Sequence, residues 1–138
     1  EDHVRQVEKV SQNLFICPPH ASQITALAAL DAKEELDQNV NVYKKNREIL
    51  LEELPKAGFT TFSPPDGAFY IYVDISKFSN DSLSFCKKVL DEAGVAITPG
   101  LDFDQNRGSN TIRFSYARST EDIIEGAKRI KKFMSNFN

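Results

Sequence analysis

The order of periodic segments predicts an α+β domain: a small, mostly antiparallel sheet covered on one face by helices and preceded by a long interdomain helix. Three observations carry this. "AFYIYVDI" and "TIRFSYA" alternate side chains with the period of a half-buried strand. "SNDSLSFCKKVLDEAG" and "STEDIIEGAKRIKKFM" each join a helix cap to helical apolar spacing. Residues 32–138 then read helix, strand, strand, helix, strand, strand, helix, with two of the strands too short for a large sheet.

The elements follow in order. Val4, Val7 and Val10 predict a helix over residues 2–15. The chain opens without methionine and already inside this helix, as a piece cut from something longer would. "CPPH" (Cys17 to His20) breaks the helix, because proline lacks the N–H that a helix interior needs. "SQITALAAL" restarts it with Ser22 as N-cap and Ile24, Leu27, Ala28 and Leu30 on one stripe. Asp31, three residues before Glu34, opens the long helix. Its narrow stripe of Leu36, Val40, Tyr43, Arg47, Leu50 and Leu54 suits a helix bridging two bodies, and Pro55 and Gly58 end it.

Beyond residue 58, "FTTF" predicts a short strand and "SPPDG" a turn. "AFYIYVDI" is the most strongly patterned strand, with Phe69, Ile71 and Val73 on its buried face. The next helix is capped near Asn80 to Ser82 and stops at Gly94. "VAIT" predicts a short strand, "PGLDFDQNRGSN" a loop and "TIRFSYA" the last strand. The closing helix has a Ser/Thr cap, acids in its first turn and lysines late, matching the helix dipole.

The 138 residues, 41% of them hydrophobic, suffice for one compact domain with a core. A net charge of −3 argues against a nucleic-acid partner, which needs a concentrated positive surface, and gives no reason to expect a membrane. Cys17 and Cys86 lie far apart and form no CxxC pair, so a reducing, cytoplasmic setting is expected. His3 and His20 have no cysteine or carboxylate at ligand spacing, so no metal site is expected.

Arg113 is the residue that asks for a function. Ile112, Phe114 and Tyr116 share one strand face, while Thr111, Arg113 and Ser115 share the other. A guanidinium there meets solvent or binds an anion. Gly67 stands at a turn-to-strand junction before a row of aromatics. Such a strand also suits base stacking, but no lysine or arginine lies near it. The eleven lysines sit mostly in charged runs such as Lys44-Lys45 and Lys131-Lys132, and none stands out as a Schiff-base nucleophile.

"GAFYIYVD", "GVAITPGLDF" and "TIRFSYA", in this order and spacing, resemble the C-terminal (small) domain of class I/II, fold-type-I, pyridoxal-phosphate-dependent aminotransferases, bacterial aspartate aminotransferases among them. "SQNLFICPPHASQITALAAL" and "YKKNREILLEEL" resemble the segment after that family's cofactor lysine and its interdomain helix.

The resemblance implies that Arg113 grips the α-carboxylate of an amino-acid or 2-oxo-acid substrate. Phe69 and Gly67 would border the substrate, and Pro99-Gly100 would shape the adjoining loop. It further implies that residues 1–30 are the tail of a large domain and residues 31–138 the bridging helix and small domain. That large domain would precede Glu1 and hold most of the pyridoxal 5'-phosphate contacts. No catalytic or cofactor-binding residue is expected in this chain, which would be inactive alone. The intact transaminase would be a homodimer. Three alternatives stand beside it: a freestanding carboxylate-binding or regulatory module without catalysis, a nucleic-acid module on the aromatic strand, and a pyridoxal-phosphate lyase or synthase sharing the domain.

Overall fold

The structure is a computed structural model that describes residues 2–137. The chain divides between Gln38 and Asn39 into two compact units. The first holds α1 (Asp2–Leu14), α2 (His20–Ala29) and the opening residues of α3 (Lys33–Lys56). Helix α2 starts two residues before the predicted Ser22 cap. Pro19 occupies the cap position with no side-chain cap hydrogen bond. A proline there sacrifices no helical N–H, so the helix begins directly after it. Gln23 Nε2 instead donates to the carbonyl of Pro18 at 2.8 Å. Val4, Val7, Val10, Ile24 and Leu27 are all exposed, so the apolar stripes of α1 and α2 bury nothing within the described residues.

The second unit is α+β. Its sheet has three strands, β1 (Tyr70–Asp74), β2 (Thr98–Pro99) and β3 (Thr111–Ser115), in the order β1-β3-β2. β3 runs antiparallel to both neighbours, pairing Tyr72 with Arg113 on one side and Thr98 with Arg113 on the other. Helix α4 (Ser82–Ala93) connects β1 to β2, and β3 enters the slot between them, a split βαβ arrangement. Helix α5 (Thr120–Ser135) closes the chain.

Alternation works as expected on the core side. Ile71 and Val73 of β1 and Ile112 and Phe114 of β3 are buried in a cluster with Leu50 and Leu54 of α3, Phe85 and Val89 of α4, and Ile123, Ile130 and Phe133 of α5. Phe59 lies at its centre, edge-on to Phe78, Phe85 and Phe114 at 5.4, 6.4 and 5.5 Å. Cys86 is buried in the same cluster, and burial, aided by Asp102, pushes its thiol up to about 11, so it is a packing residue.

The helix ends follow local chemistry. α3 carries Pro55 in its last turn and stops at Gly58, whose φ is +96°. The Phe59 N–H reaches the Leu54 carbonyl and the Gly58 N–H the Pro55 carbonyl, both at 3.0 Å, which is a Schellman cap. Asp81 caps α4 by accepting from the Ser84 N–H at 3.0 Å, and Ser119 caps α5 by accepting from the Asp122 N–H at 3.2 Å.

Three expectations need correction. "FTTF" forms a single bridge, Phe62 to Val73, because only Ser63 separates it from Pro64-Pro65, which cannot extend a ladder. "VAIT" contributes only Thr98 to β2, which continues to Pro99. Phe69 is not on the buried face. Ala68 takes a left-handed φ of +58° just before β1, which ends the alternation and leaves Phe69 45% exposed.

Asn46 is a fully buried polar residue on α3 that no stripe predicts. Its Nδ2 donates to the carbonyls of Tyr116 at 3.0 Å and Arg118 at 2.7 Å, and its Oδ1 accepts from Thr120 Oγ1 at 2.8 Å. It therefore ties α3 to the segment leaving β3. Asn46→Ala strips partners from all three groups and is expected to cost about 2 kcal/mol. Urea denaturation checks this, and a midpoint unchanged from wild type would refute the role.

Candidate functional site

The sheet face opposite the core carries Tyr70, Tyr72 and Asp74 from β1, Thr98 from β2, and Thr111, Arg113 and Ser115 from β3. Arg113 occupies the centre, on the middle strand and paired on both sides. Its side chain is half-buried.

The guanidinium is held by aromatic rings. Cζ lies 4.8 Å from the centre of the Tyr70 ring and 4.2 Å from that of Phe103. Both distances are well inside cation–π range. Among the described residues no carboxylate comes within 4 Å of Arg113, and its buried Nε has no hydrogen-bond acceptor. Phe103 follows the short 3-10 turn Gly100–Asp102 and is 54% exposed. Asp74 is occupied elsewhere: the Ser76 hydroxyl and backbone N–H hold its carboxyl below the usual carboxylate range, the latter donating at 2.8 Å.

Two further groups position the approach to β1. The backbone N–H of Tyr116 donates to the Phe69 carbonyl at 2.8 Å, and its hydroxyl donates to the carbonyls of Ala68 at 3.2 Å and Gly67 at 3.4 Å. Arg47 Nη1 donates to the Pro65 carbonyl at 3.2 Å. Burial raises the Tyr116 hydroxyl above the usual tyrosine range, with Arg47 pulling it back and Tyr70 adding to the rise. Tyr116, Arg47, Tyr70 and the 65–69 loop thus form one continuous support.

The residues singled out by sequence come together unequally. Arg113 stands on the open face. Phe69 reaches it through Tyr70, whose ring lies 5.7 Å away and edge-on. Gly67 enters through its carbonyl, and a methyl group added to it would meet nothing within 4 Å. Arg118 is a surface residue paired with Asp122 at 3.0 Å. Phe103, Tyr116 and Arg47 carry no pattern that marks them. Phe103 lies in a loop, Tyr116 reads as a core residue, and Arg47 reads as a break in an apolar stripe.

Arg113 is thus a half-buried cation on the middle strand of a split βαβ sheet, with no hydrogen-bond acceptor for its buried Nε among the described residues. The family model described as aminotransferase class I and II matches residues 1–130. The chain belongs to the class I and II aminotransferase family. It is 45% identical over 132 residues to valine–pyruvate aminotransferase of Mycobacterium tuberculosis, covering 94% of this chain and 34% of that protein. It is 33% identical to an aspartate aminotransferase of Sulfurisphaera tokodaii, covering 97% and 35%. A crystal structure of an aminotransferase from Mycobacterium tuberculosis superposes with a TM-score of 0.85 at 44% identity, covering 96% of this chain and 35% of that one. The chain spans about a third of the length of the curated relatives it matches.

Membership of this family implies pyridoxal 5'-phosphate. All eleven lysines are exposed, so no desolvated amine is available to bond the cofactor's aldehyde. Among the described residues no group of three or more His, Cys, Asp or Glu side chains is placed to hold a metal ion. No helix is long and apolar enough to cross a membrane.

Proposed function

We propose that this chain is the substrate-carboxylate-binding part of a pyridoxal-phosphate-dependent aminotransferase, which moves an amino group between an amino acid and a 2-oxo acid. The observation that carries the reading is Arg113: a half-buried cation held by two rings, with no carboxylate of its own among the described residues. Its planar fork can take both oxygens of an α-carboxylate at once. Fixing the carboxylate orients the bonds at Cα, a positioning contribution to a reaction whose electron sink is the cofactor. Phe69 and Gly67, on the loop held by Tyr116 and Arg47, border the same approach.

The remaining machinery lies outside these residues. Residues 1–30 belong, in this reading, to a large domain that binds the cofactor. The exposed apolar stripes of α1 and α2 support that division, since they bury nothing within the described residues. Residues 31–138 form the bridging helix and small domain. The protein acts in the cytoplasm as a homodimer.

The test is amino-group transfer itself. The whole protein, loaded with pyridoxal phosphate, is given an amino acid and a different 2-oxo acid. Appearance of the new amino acid is expected. Elimination or condensation products without amino transfer would place it among the related lyases or synthases instead.

A further inference from the structure

Arg113 is anchored in an unusual way. A guanidinium on a strand face is commonly fixed by a carboxylate, and such a pair uses the same N–H donors that a substrate carboxylate needs. Here the fixing groups are rings. A ring attracts the cation through its π face and takes none of the donors. The two rings also come from separate places: Tyr70 from β1, two residues before the partner of Arg113, and Phe103 from the loop after β2. They restrain the guanidinium from both neighbouring elements while its fork stays unspent.

We propose that Tyr70 and Phe103 are positioning residues that hold the Arg113 fork ready for a carboxylate by cation–π contact, resting on the carboxylate-binding reading above. Phe103 is the more informative of the two. It is 54% exposed, lies outside the core and has its ring centre 4.2 Å from the guanidinium carbon, so its ring serves the arginine more than the fold. Tyr70 is half-buried and also contacts the Phe69 ring, so it links the loop at 65–69 to the same cation.

The experiment uses the whole, cofactor-loaded protein and two substrates: an amino acid, and the amine that lacks its carboxylate. Phe103→Leu removes the ring and keeps the apolar bulk. It is expected to raise KM for the amino acid about three- to tenfold, the size of one partly exposed cation–π contact, with kcat nearly unchanged. The reaction of the amine is expected to stay as in wild type. Phe103→Tyr keeps a ring and is expected to recover most of the loss, and Tyr70→Leu and Tyr70→Phe should divide in the same way. In an Arg113→Ala background, Phe103→Leu should add nothing further. Equal loss on amino acid and amine, or full loss in the Arg113→Ala background, would overturn the clamp and leave Phe103 a structural residue. If Arg113→Ala itself fails to distinguish the two substrates, the carboxylate reading falls, and the clamp with it.

Discussion

Arg113→Ala in the whole protein is expected to lower kcat/KM for amino acids by about 10²- to 10³-fold. Two charge-assisted hydrogen bonds to one carboxylate are lost together. Each is worth about 1.5–3 kcal/mol, and the pair about 3–4 because the two do not add fully. The loss should fall on both KM and kcat. A carboxylate that is no longer held binds more weakly and also leaves Cα free to turn away from the productive geometry. Arg113→Lys should recover only part of the loss, since an ammonium supplies charge without the fork. The visible absorbance of the bound cofactor is expected to match wild type, because the proposed reading gives Arg113 the substrate carboxylate and leaves the cofactor to the large domain. Steady-state kinetics with an amino acid and its decarboxylated amine check the claim. An unchanged kcat/KM for the amino acid would refute the assignment.

Why Arg113 was legible and its partners were not is a matter of range. Alternation along a strand is local: Ile112 and Phe114 turn to the core, so Arg113 must turn away from it, and the structure agrees. The caps at Asp81 and Ser119 and the stops at Gly58 and Gly94 are local in the same sense. The register that sets Tyr72 opposite Arg113 and brings Tyr70 beneath its guanidinium is set between segments some forty residues apart. The approach of Phe103 depends on the path of a loop, which no periodicity encodes. Asn46 is the sharpest case. No stripe marks it, yet its amide satisfies two carbonyls and a hydroxyl seventy or more residues away. "FTTF" failed for a related reason, since the prolines that follow it outweigh its own β propensity.

The loop that carries Phe103 is itself held by two glycines, and Gly100→Ala is expected to release it. A methyl group on Gly100 would strike the side chain of Thr111 and come within 2.6 Å of the Thr111 carbonyl and 2.8 Å of the Gly108 carbonyl. One on Gly108 would lie 2.7 Å from the backbone of Gly100 and Leu101. Both glycines are buried, so the two backbone segments cross in direct contact. Real Cβ atoms do not approach carbonyl oxygens so closely, and backbone moves less readily than a side chain. The cross is tied from both ends: the Gly100 carbonyl accepts from the Phe103 and Asp104 N–H groups at 2.9 Å, and the Gly108 carbonyl accepts from Ser82 Oγ at 2.6 Å. Gly100 does not use a left-handed φ, so the effect of the substitution is steric. It is expected to cost about 3 kcal/mol, the upper part of the overpacking range. Because the relief lies outward, Phe103 should move with the loop. Gly100→Ala should therefore reproduce the amino-acid-specific rise in KM of Phe103→Leu in the fraction that folds. Gly126→Ala is the contrasting case. Gly126 is helical, and its added methyl group meets nothing within 4 Å. The same chemical change there should stabilise the protein by about 0.5–1 kcal/mol. Urea denaturation of the two variants beside wild type decides it. Equal midpoints for Gly100→Ala and wild type would mean that the crossing is not tight and that some other contact sets the position of Phe103.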